Sequence, residues 1–442
     1  MPSIPSLNER LREALRPFYL RHIYFPLRPS CRPPEFTRCW EVPHEFQDGP
    51  NCLTIPSPHP PLPDVLFLPM TDWHHRLQRS QRLALALARL GRRCFLLNPH
   101  LGREYPVAPW RRRPAALARL DDSIFEIHAP LPNEPVFHHR LLTPAESRAV
   151  ADAVHWALQR AGVQSLDIVF ALPTWKDCAL DLRRRWQAVL AYDCHDWLAG
   201  FPNMARQIAA AERDSLEAAD IRLFSASSLM ASFGPVLPDP QSRSILLRNG
   251  VPDWPPAPTS RPAEPVVGYL GALEDWFWTD AVAEAARTLP GVRFLLAGAA
   301  AAPLRRALSG LRNVEFAGEI PPERVPALLR QFRIGLIPFQ GPLAPFTDPL
   351  KVYEYFHHGL PVVASPLPEL DRFGGLVLQA ATPAGFAQAV REALEEDDRR
   401  LEEARRAEAR AATWTRRAEA LNQILLEARQ RPGGVPRPQG GP

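Results

Sequence analysis

From about residue 64 the chain alternates short apolar runs with amphipathic stretches, and this alternation constrains its fold more than any other feature. "DVLFLP" at 64–69 is short and wholly apolar, so it reads as a strand buried on both faces. "SQRLALALARLG" at 80–91 has helical spacing and stops at Gly91. A strand followed by a helix, repeated, requires parallel pairing, because each helix carries the chain back to the same end of the sheet. The series continues with "RCFLLN" at 93–98, "SIFEIH" at 123–128, a helix "TPAESRAVADAVHWALQRAG" capped by Thr143 and stopped by Gly162, and "DIVFALP" at 167–173. "AVLAYDCHD" at 188–196, a helix to Ala219, "IRLFSAS" at 221–227 and "SILLRNG" at 244–250 complete it.

"VPDWPPAPTSRPAEP" at 251–265 breaks the pattern. So many prolines cannot continue a helix or join a central strand, and the segment reads as a semi-rigid hinge. Alternation then resumes from "VVGYLGA" to "GLVLQA", and after Ala381 the chain is helical nearly to Arg429. A length of 442 residues also exceeds what one hydrophobic core serves. The expected class is α/β: two Rossmann-like, doubly wound parallel-sheet domains facing a cleft, with C-terminal helices. Its parts are an extension at 1–62, a first domain at 63–250, the hinge, a second domain at 266–398, helices at 399–430 that could cross back to the first domain, and a disordered tail at 431–442. Within 1–62, "LNERLREALRPFYLRHIYFPL" reads either as an amphipathic helix for an anionic membrane or partner, or as a helix packed on the first domain.

A formal net charge of +4 spread over this length does not favour nucleic acid as a partner, although "WRRRP" at Arg111–Arg113 and "DLRRRW" at Arg183–Arg185 could meet anionic surfaces. The six cysteines form no CxxC pair and read as reduced thiols, not a zinc site or disulfide frame. No apolar run is long enough to span a bilayer and no secretory signal pattern opens the chain. A cytoplasmic location follows as the expectation, with peripheral contact at the inner membrane surface left open.

Two doubly wound halves suggest a nucleotide site, yet its usual phosphate signals are missing. The first loop reads "MTDWHHRLQRS", without GxGxxG; there is no GxxxxGK[ST] and no DxD pair at a strand end. The histidine pairs at 74/75, 138/139 and 357/358 lack metal-ligand spacing. Protein groups must therefore neutralise a bound nucleotide without a metal. "DPLKVYEYFHHGLPVVAS" at 348–365 supplies candidates. Asp348 is a suitable N-cap and Pro349 suits the first helical position. Lys351 then puts a cation at the helix end that disfavours one, by about 0.3–1 kcal/mol. A bound diphosphate would resolve the conflict, with Glu354 one turn on, about 4.5 Å along the axis, accepting from ribose hydroxyls. Alternatively Lys351 pairs with Asp348 or Glu354 on a solvated face.

"GYLGALEDWF", "LRNVEFAGEI", "IGLIPF" and "PLKVYEYFHHGLPVVAS" resemble the nucleotide-sugar half of GT-B glycosyltransferases, in particular the large retaining family four, also called group 1. "QRLALALARLG", "YDCHDW", "AADIRLFSASSLM" and "LRNGVP" fall in the order of that family's acceptor half, so the likeness runs over roughly 64–428. It implies retaining transfer of a sugar from a nucleotide-diphosphate donor, a co-substrate and not a cofactor, to a saccharide or lipid-linked acceptor, without a metal. Leu350, Lys351 and Glu354, with Asp348 and Pro349 opening their helix, match the donor diphosphate and ribose positions. Gly271 and Ala272 match the turn where backbone approaches phosphate, and Ile320 the contact with the base. His195, with Asp196 beside it, matches a strand-end histidine near the transferred sugar; a buried structural histidine is the other reading. Trp73, Arg76 and Arg79 in the first loop would meet the acceptor, or serve only packing and surface.

Three departures stand out: the family's second glutamate is here Phe346, the glycine pair of its first loop is missing, and so is the Arg/Lys pair after the "GYLGA" strand. They keep two alternatives open, a catalytically silent scaffold and a nucleotide-sugar epimerase or hydrolase. A methyltransferase would need a glycine-rich loop that neither half has.

Overall fold

The computed structural model describes residue 15 and residues 62–431, apart from 74–76, 102–114, 130, 132–134, 136, 203, 238, 240–242 and 259–263. Expectations for the helix within 1–62, for Arg76, for Arg111–Arg113, for the histidine pair at 74/75 and for the tail from 432 lie outside the described residues.

The first domain runs β1 (Asp64–Leu68), α1 (Arg79–Arg89), β2 (Cys94–Leu97), β3 (Ala116–Asp121), β4 (Ile124–His128), α2 (Pro144–Arg160) and β5 (Leu166–Phe170). It continues with α3 (Lys176–Trp186), β6 (Val189–Cys194), α4 (Arg206–Ala210), α5 (Glu212–Ala218), β7 (Ile221–Phe224), α6 (Ser227–Phe233) and β8 (Ser244–Leu246). The sheet order is β3-β4-β2-β1-β5-β6-β7-β8. Local signals act as read: Thr143 caps α2 and exchanges hydrogen bonds with Glu146, while Gly91 and Gly162 follow α1 and α2 at positive φ, 87° and 65°.

Two corrections concern this domain. The sheet is not purely parallel, because β3 pairs antiparallel with β4 at the edge. Only Asp122 and Ser123 join these strands, too few for a crossover, so the chain must double back. The basic run Arg183–Arg185 is also no free anion surface: Arg183 bonds Asp220 at 2.6 Å, Arg184 bonds Asp181 at 2.9 Å, and Arg185 lies 2.7 Å from Asp152 and 2.6 Å from Asp181. Cys94, Cys178 and Cys194 are buried free thiols.

The second domain runs β9 (Val266–Leu270), α7 (Thr279–Thr288), β10 (Arg293–Ala297), α8 (Ala302–Leu308), β11 (Val314–Gly318), α9 (Val325–Leu329) and β12 (Ile334–Ile337). Then follow α10 (Leu350–His357), β13 (Val362–Ala364), β14 (Val377–Gln379), α11 (Pro383–Glu395), α12 (Arg399–Ala411) and α13 (Trp414–Gln430). Its sheet is parallel throughout, in the order β11-β10-β9-β12-β13-β14. The chain reverses its direction of winding between β9 and β12, so the loops after these strands diverge and leave a crevice at their carboxyl ends.

Helix α13 does not stay with the second domain. Trp414, Ala418, Leu421, Leu425 and Ala428 share one apolar cluster with Val65, Phe67, Leu83 and Leu87 of β1 and α1. Outgoing hinge and returning chain run side by side: the Val251 amide donates to Ala412 and the Trp414 amide to Val251, both near 2.8–2.9 Å. A Cβ on Gly250 would lie 2.7 Å from the Ala412 carbonyl oxygen, so that crossing excludes any larger residue. Among the described residues, no helix is long and apolar enough to cross a membrane.

Candidate active site

Between the carboxyl ends of the two sheets lies a cavity of about 430 Å³, within the usual range for small-ligand sites. Met70, Thr71, Arg79, Arg82, His195 and Asn249 line it from the first domain. Gly271, Ala272, Gly298, Ile320, Phe339 and the stretch Asp348–Lys351 with Glu354 line it from the second.

Helix α10 opens on this wall, but not with the cap expected. Pro349 occupies the N-cap position and Leu350 is the first helical residue. Asp348 makes no cap to the helix amides and is 2% exposed. Its carboxylate accepts from the Asn249 amide at 2.7 Å and the Tyr353 hydroxyl at 2.8 Å, and the Asn249 side-chain amide donates to its carbonyl at 2.7 Å. Burial pushes the Asp348 carboxyl up, against the nearby Arg372 and these hydrogen bonds. A loop of the first domain has thus taken the carboxylate that local sequence assigns to the cap. The Leu350 side chain likewise packs on the first domain's apolar cluster, and the residue lines the cavity.

Lys351 and Glu354 follow on the cleft side. The Lys351 ammonium sits 4.9 Å above the Phe339 ring and 5.3 Å above Tyr269, positions that favour a cation without neutralising it. Gly271, at φ 140°, passes directly beneath: a Cβ there would lie 2.5 Å from Lys351 Cε and 2.7 Å from Nζ. Glu354 is half-buried, and burial pushes its carboxyl up while Arg82 and then Lys351 pull it down. Both residues are half-buried and line the cavity.

The sequence reading puts Arg79 in the first loop, to meet the acceptor or to serve packing and surface; the structure corrects the placement, not the role. Arg79 is the first residue of α1 and 2% exposed. Its Nε donates to both Asp193 oxygens at 2.9 and 3.0 Å and its Nη1 to Asn249 at 3.1 Å. With the Asn249–Asp348 bonds, these contacts form one buried polar relay from β6 to α10, across both domains. Trp73 is half-buried against the first domain's apolar cluster and is not among the cavity-lining residues.

His195 and Asp196 follow β6 and line the cavity. His195 Nδ1 lies 3.0 Å from the Asp193 carbonyl oxygen. A carbonyl only accepts, so Nδ1 carries the proton, and Nε2 lies 3.8 Å from Asp196 Oδ2. Burial pushes the Asp196 carboxyl up, against His195 and Arg79. Beneath this turn Glu212 is 2% exposed and accepts from the Tyr192 hydroxyl at 3.0 Å and the Cys194 thiol at 3.5 Å.

Burial pushes Glu212 from an ordinary 4.5 up to about 8. The unfolded chain ionises this group near the lower value, so its contribution to stability is complete below that pH and is lost as pH rises toward 8. Replacing Glu212 with Gln is expected to recover on the order of 3 kcal/mol at pH 8 and to flatten the decline from pH 5 upward. Thermal unfolding of both proteins across that range checks it, and parallel curves would show the group ionised inside the fold.

Phe346, where the resemblance leads one to expect a glutamate, packs 4.3 Å from the Trp197 ring of the first domain. A second tie between the domains is Glu369, 1% exposed, which accepts from the Ser227 amide and hydroxyl, from the Ser228 amide at 3.2 Å and from Arg248 at 3.0 Å. Arg82 and Asn249 are the polar first-domain residues of this wall on which the geometry turns and which sequence reasoning did not assign. Asn249 lay inside the quoted "LRNG" stretch, whereas Arg82 carried no local signal beyond its place in the helix after the first strand.

Residues 264–396 match the family model for glycosyl transferases group 1. The second domain is a group 1 glycosyltransferase domain. No curated protein matches the chain in sequence. Among solved structures, sucrose-phosphate synthase from Thermosynechococcus elongatus is 16% identical with a TM-score of 0.64, over 82% of this chain and 98% of that one. Anabaena HepE, solved in complex with UDP, is 15% identical with a TM-score of 0.58, over 82% and 100%. A trehalose 6-phosphate synthase from Burkholderia multivorans is 14% identical with a TM-score of 0.58, over 83% and 98%. These similarities extend the glycosyltransferase fold, GT-B, to both domains.

Proposed function

We propose that this glycosyltransferase moves a sugar from a nucleoside-diphosphate donor to a saccharide or lipid-linked acceptor, with retention and without a metal. The observation that carries the reading is the Lys351 ammonium, held over Gly271 at the start of α10 inside a cleft between two domains. As the bond from sugar to diphosphate breaks, negative charge grows on the leaving phosphate. Lys351 and the first amides of α10 are positioned to stabilise that charge. Glu354 accepts from the ribose hydroxyls and Ile320 borders the base. His195, its proton held on Nδ1, orients the sugar together with Asp196. In the retaining reading the leaving phosphate takes the acceptor's proton, so no carboxylate pair is required.

One observation favours a silent scaffold instead. Phe346 packs on Trp197, so no carboxylate reaches the cleft from that position. Thermal shifts with UDP, GDP, ADP and CDP separate the two readings: the enzyme is expected to be stabilised by at least one of them, and a scaffold by none. Incubation of the stabilising nucleotide's sugar conjugates with saccharide acceptors, followed by NMR of the product's anomeric proton, then tests transfer and retention. Inverted product would overturn the stereochemical assignment.

A further inference from the structure

The second domain is short of positive charge for the ligand proposed above. Among the described residues that line the cavity, it contributes one cation, Lys351, against three acids, Glu319, Asp348 and Glu354. A nucleoside diphosphate carries two or more negative charges, and the loop after β9, "GALEDWF", holds no basic residue. The missing charge lies across the cleft. Arg79 and Arg82 both line the cavity and stand three residues apart on α1, hence on one face of the helix.

These two arginines differ in how far they are committed. Arg79 uses Nε and Nη1 on Asp193 and Asn249, and its Nη2 is buried without a hydrogen-bond partner. Leaving such a donor unsatisfied costs about 1–3 kcal/mol, so the site is complete only when something accepts from it. Arg82 is half-buried, and the charge that supports its own against burial is the Glu354 carboxylate in the opposite domain. If Arg82 served only to neutralise Glu354, that carboxylate would be poorly placed to receive a ribose.

We propose that Arg82, assisted by the Nη2 edge of Arg79, binds the donor's diphosphate from the first domain, replacing the basic pair absent after β9 and completing the donor site only when the two domains face each other. This rests on the donor reading given above. An arginine fork suits two phosphate oxygens at once, which a lysine cannot match. The diphosphate is then met by Arg82 from the first domain and the ribose by Glu354 from the second, so each domain recognises a separate part of one donor.

The test measures binding of UDP, GDP and ADP, and of uridine, guanosine and adenosine, by NMR titration of the full chain. Wild type, Arg82→Gln and Arg82→Lys are compared, with thermal unfolding confirming that each is folded. For whichever diphosphate binds the wild type, Arg82→Gln is expected to weaken it at least about tenfold while leaving the matching nucleoside unchanged; Arg82→Lys should recover part of the loss. Equal weakening of nucleoside and diphosphate would mean that Arg82 acts on Glu354 alone and would overturn the proposal, as would no change in either. Wild-type protein that binds none of these three diphosphates, nor CDP, would sink the donor reading itself, and this inference with it.

Discussion

Lys351→Ala is expected to lower kcat by about 10²–10³-fold, the usual effect of removing one preorganised donor at a developing charge. Stability should scarcely change. The substitution removes ring contacts at 4.9 and 5.3 Å, but also a cation opposed by the dipole of α10, and the two effects are each about 1 kcal/mol or less. Glu354→Gln should be comparably damaging by a different route. An amide presents one acceptor oxygen where the carboxylate presents two, so a ribose diol loses a partner and nucleotide affinity falls along with turnover. Initial rates, nucleotide titration and thermal unfolding of both variants separate these effects. Wild-type activity in both would remove the basis for the site assignment, whereas loss of activity through unfolding would instead make these residues structural.

The second large effect is expected at Gly298. It lies just after β10 at φ 143°, and a Cβ there would come within 1.9 Å of the Gly271 carbonyl oxygen and 2.6 Å of its carbon. Those are backbone atoms, so no side chain can swing aside. Gly298→Ala must push the turn after β9 toward the cleft, where Gly271 already underlies Lys351. Overpacking and an unfavourable φ together are expected to cost about 3 kcal/mol or more, with nucleotide binding lost even in the fraction that folds. Gly318→Ala makes a useful comparison: its φ of 73° is also positive, but nothing lies within 4 Å of its Cβ, so about 1 kcal/mol of strain alone is expected. Equal melting temperatures for the two variants would show that the close approach of Gly298 and Gly271 does not constrain the cleft.

Much of this site could be read from the chain because its signals are local. The Lys351–Glu354 spacing places both on one helical face wherever that helix lies, and Thr143 satisfies its own helix through Glu146 three residues away. Reading Asp348 as a cap failed for a reason just as physical. The residue type suits a cap, but Asn249 competes for the carboxylate from 99 positions away, and the buried bonds it offers are stronger than a solvated cap. Strand β3 was missed because "AALARLDD" shows no strong alternation, and its pairing is set by the two-residue link to β4.

By itself the sequence determined two doubly wound domains, the proline-rich break between them and the helix that brings Lys351 and Glu354 to the cleft, since each follows from periodicity or from backbone chemistry within a few residues. Tertiary structure decided which charges meet. Arg79 reads as a loop residue until Asp193, 114 positions later, is folded against it, and Arg82 becomes a cleft residue only because the second domain brings Glu354 opposite. Hydrophobic patterning states how deeply a segment is buried. It carries no information on which partner waits there, because that depends on the geometry between elements that only the assembled fold defines.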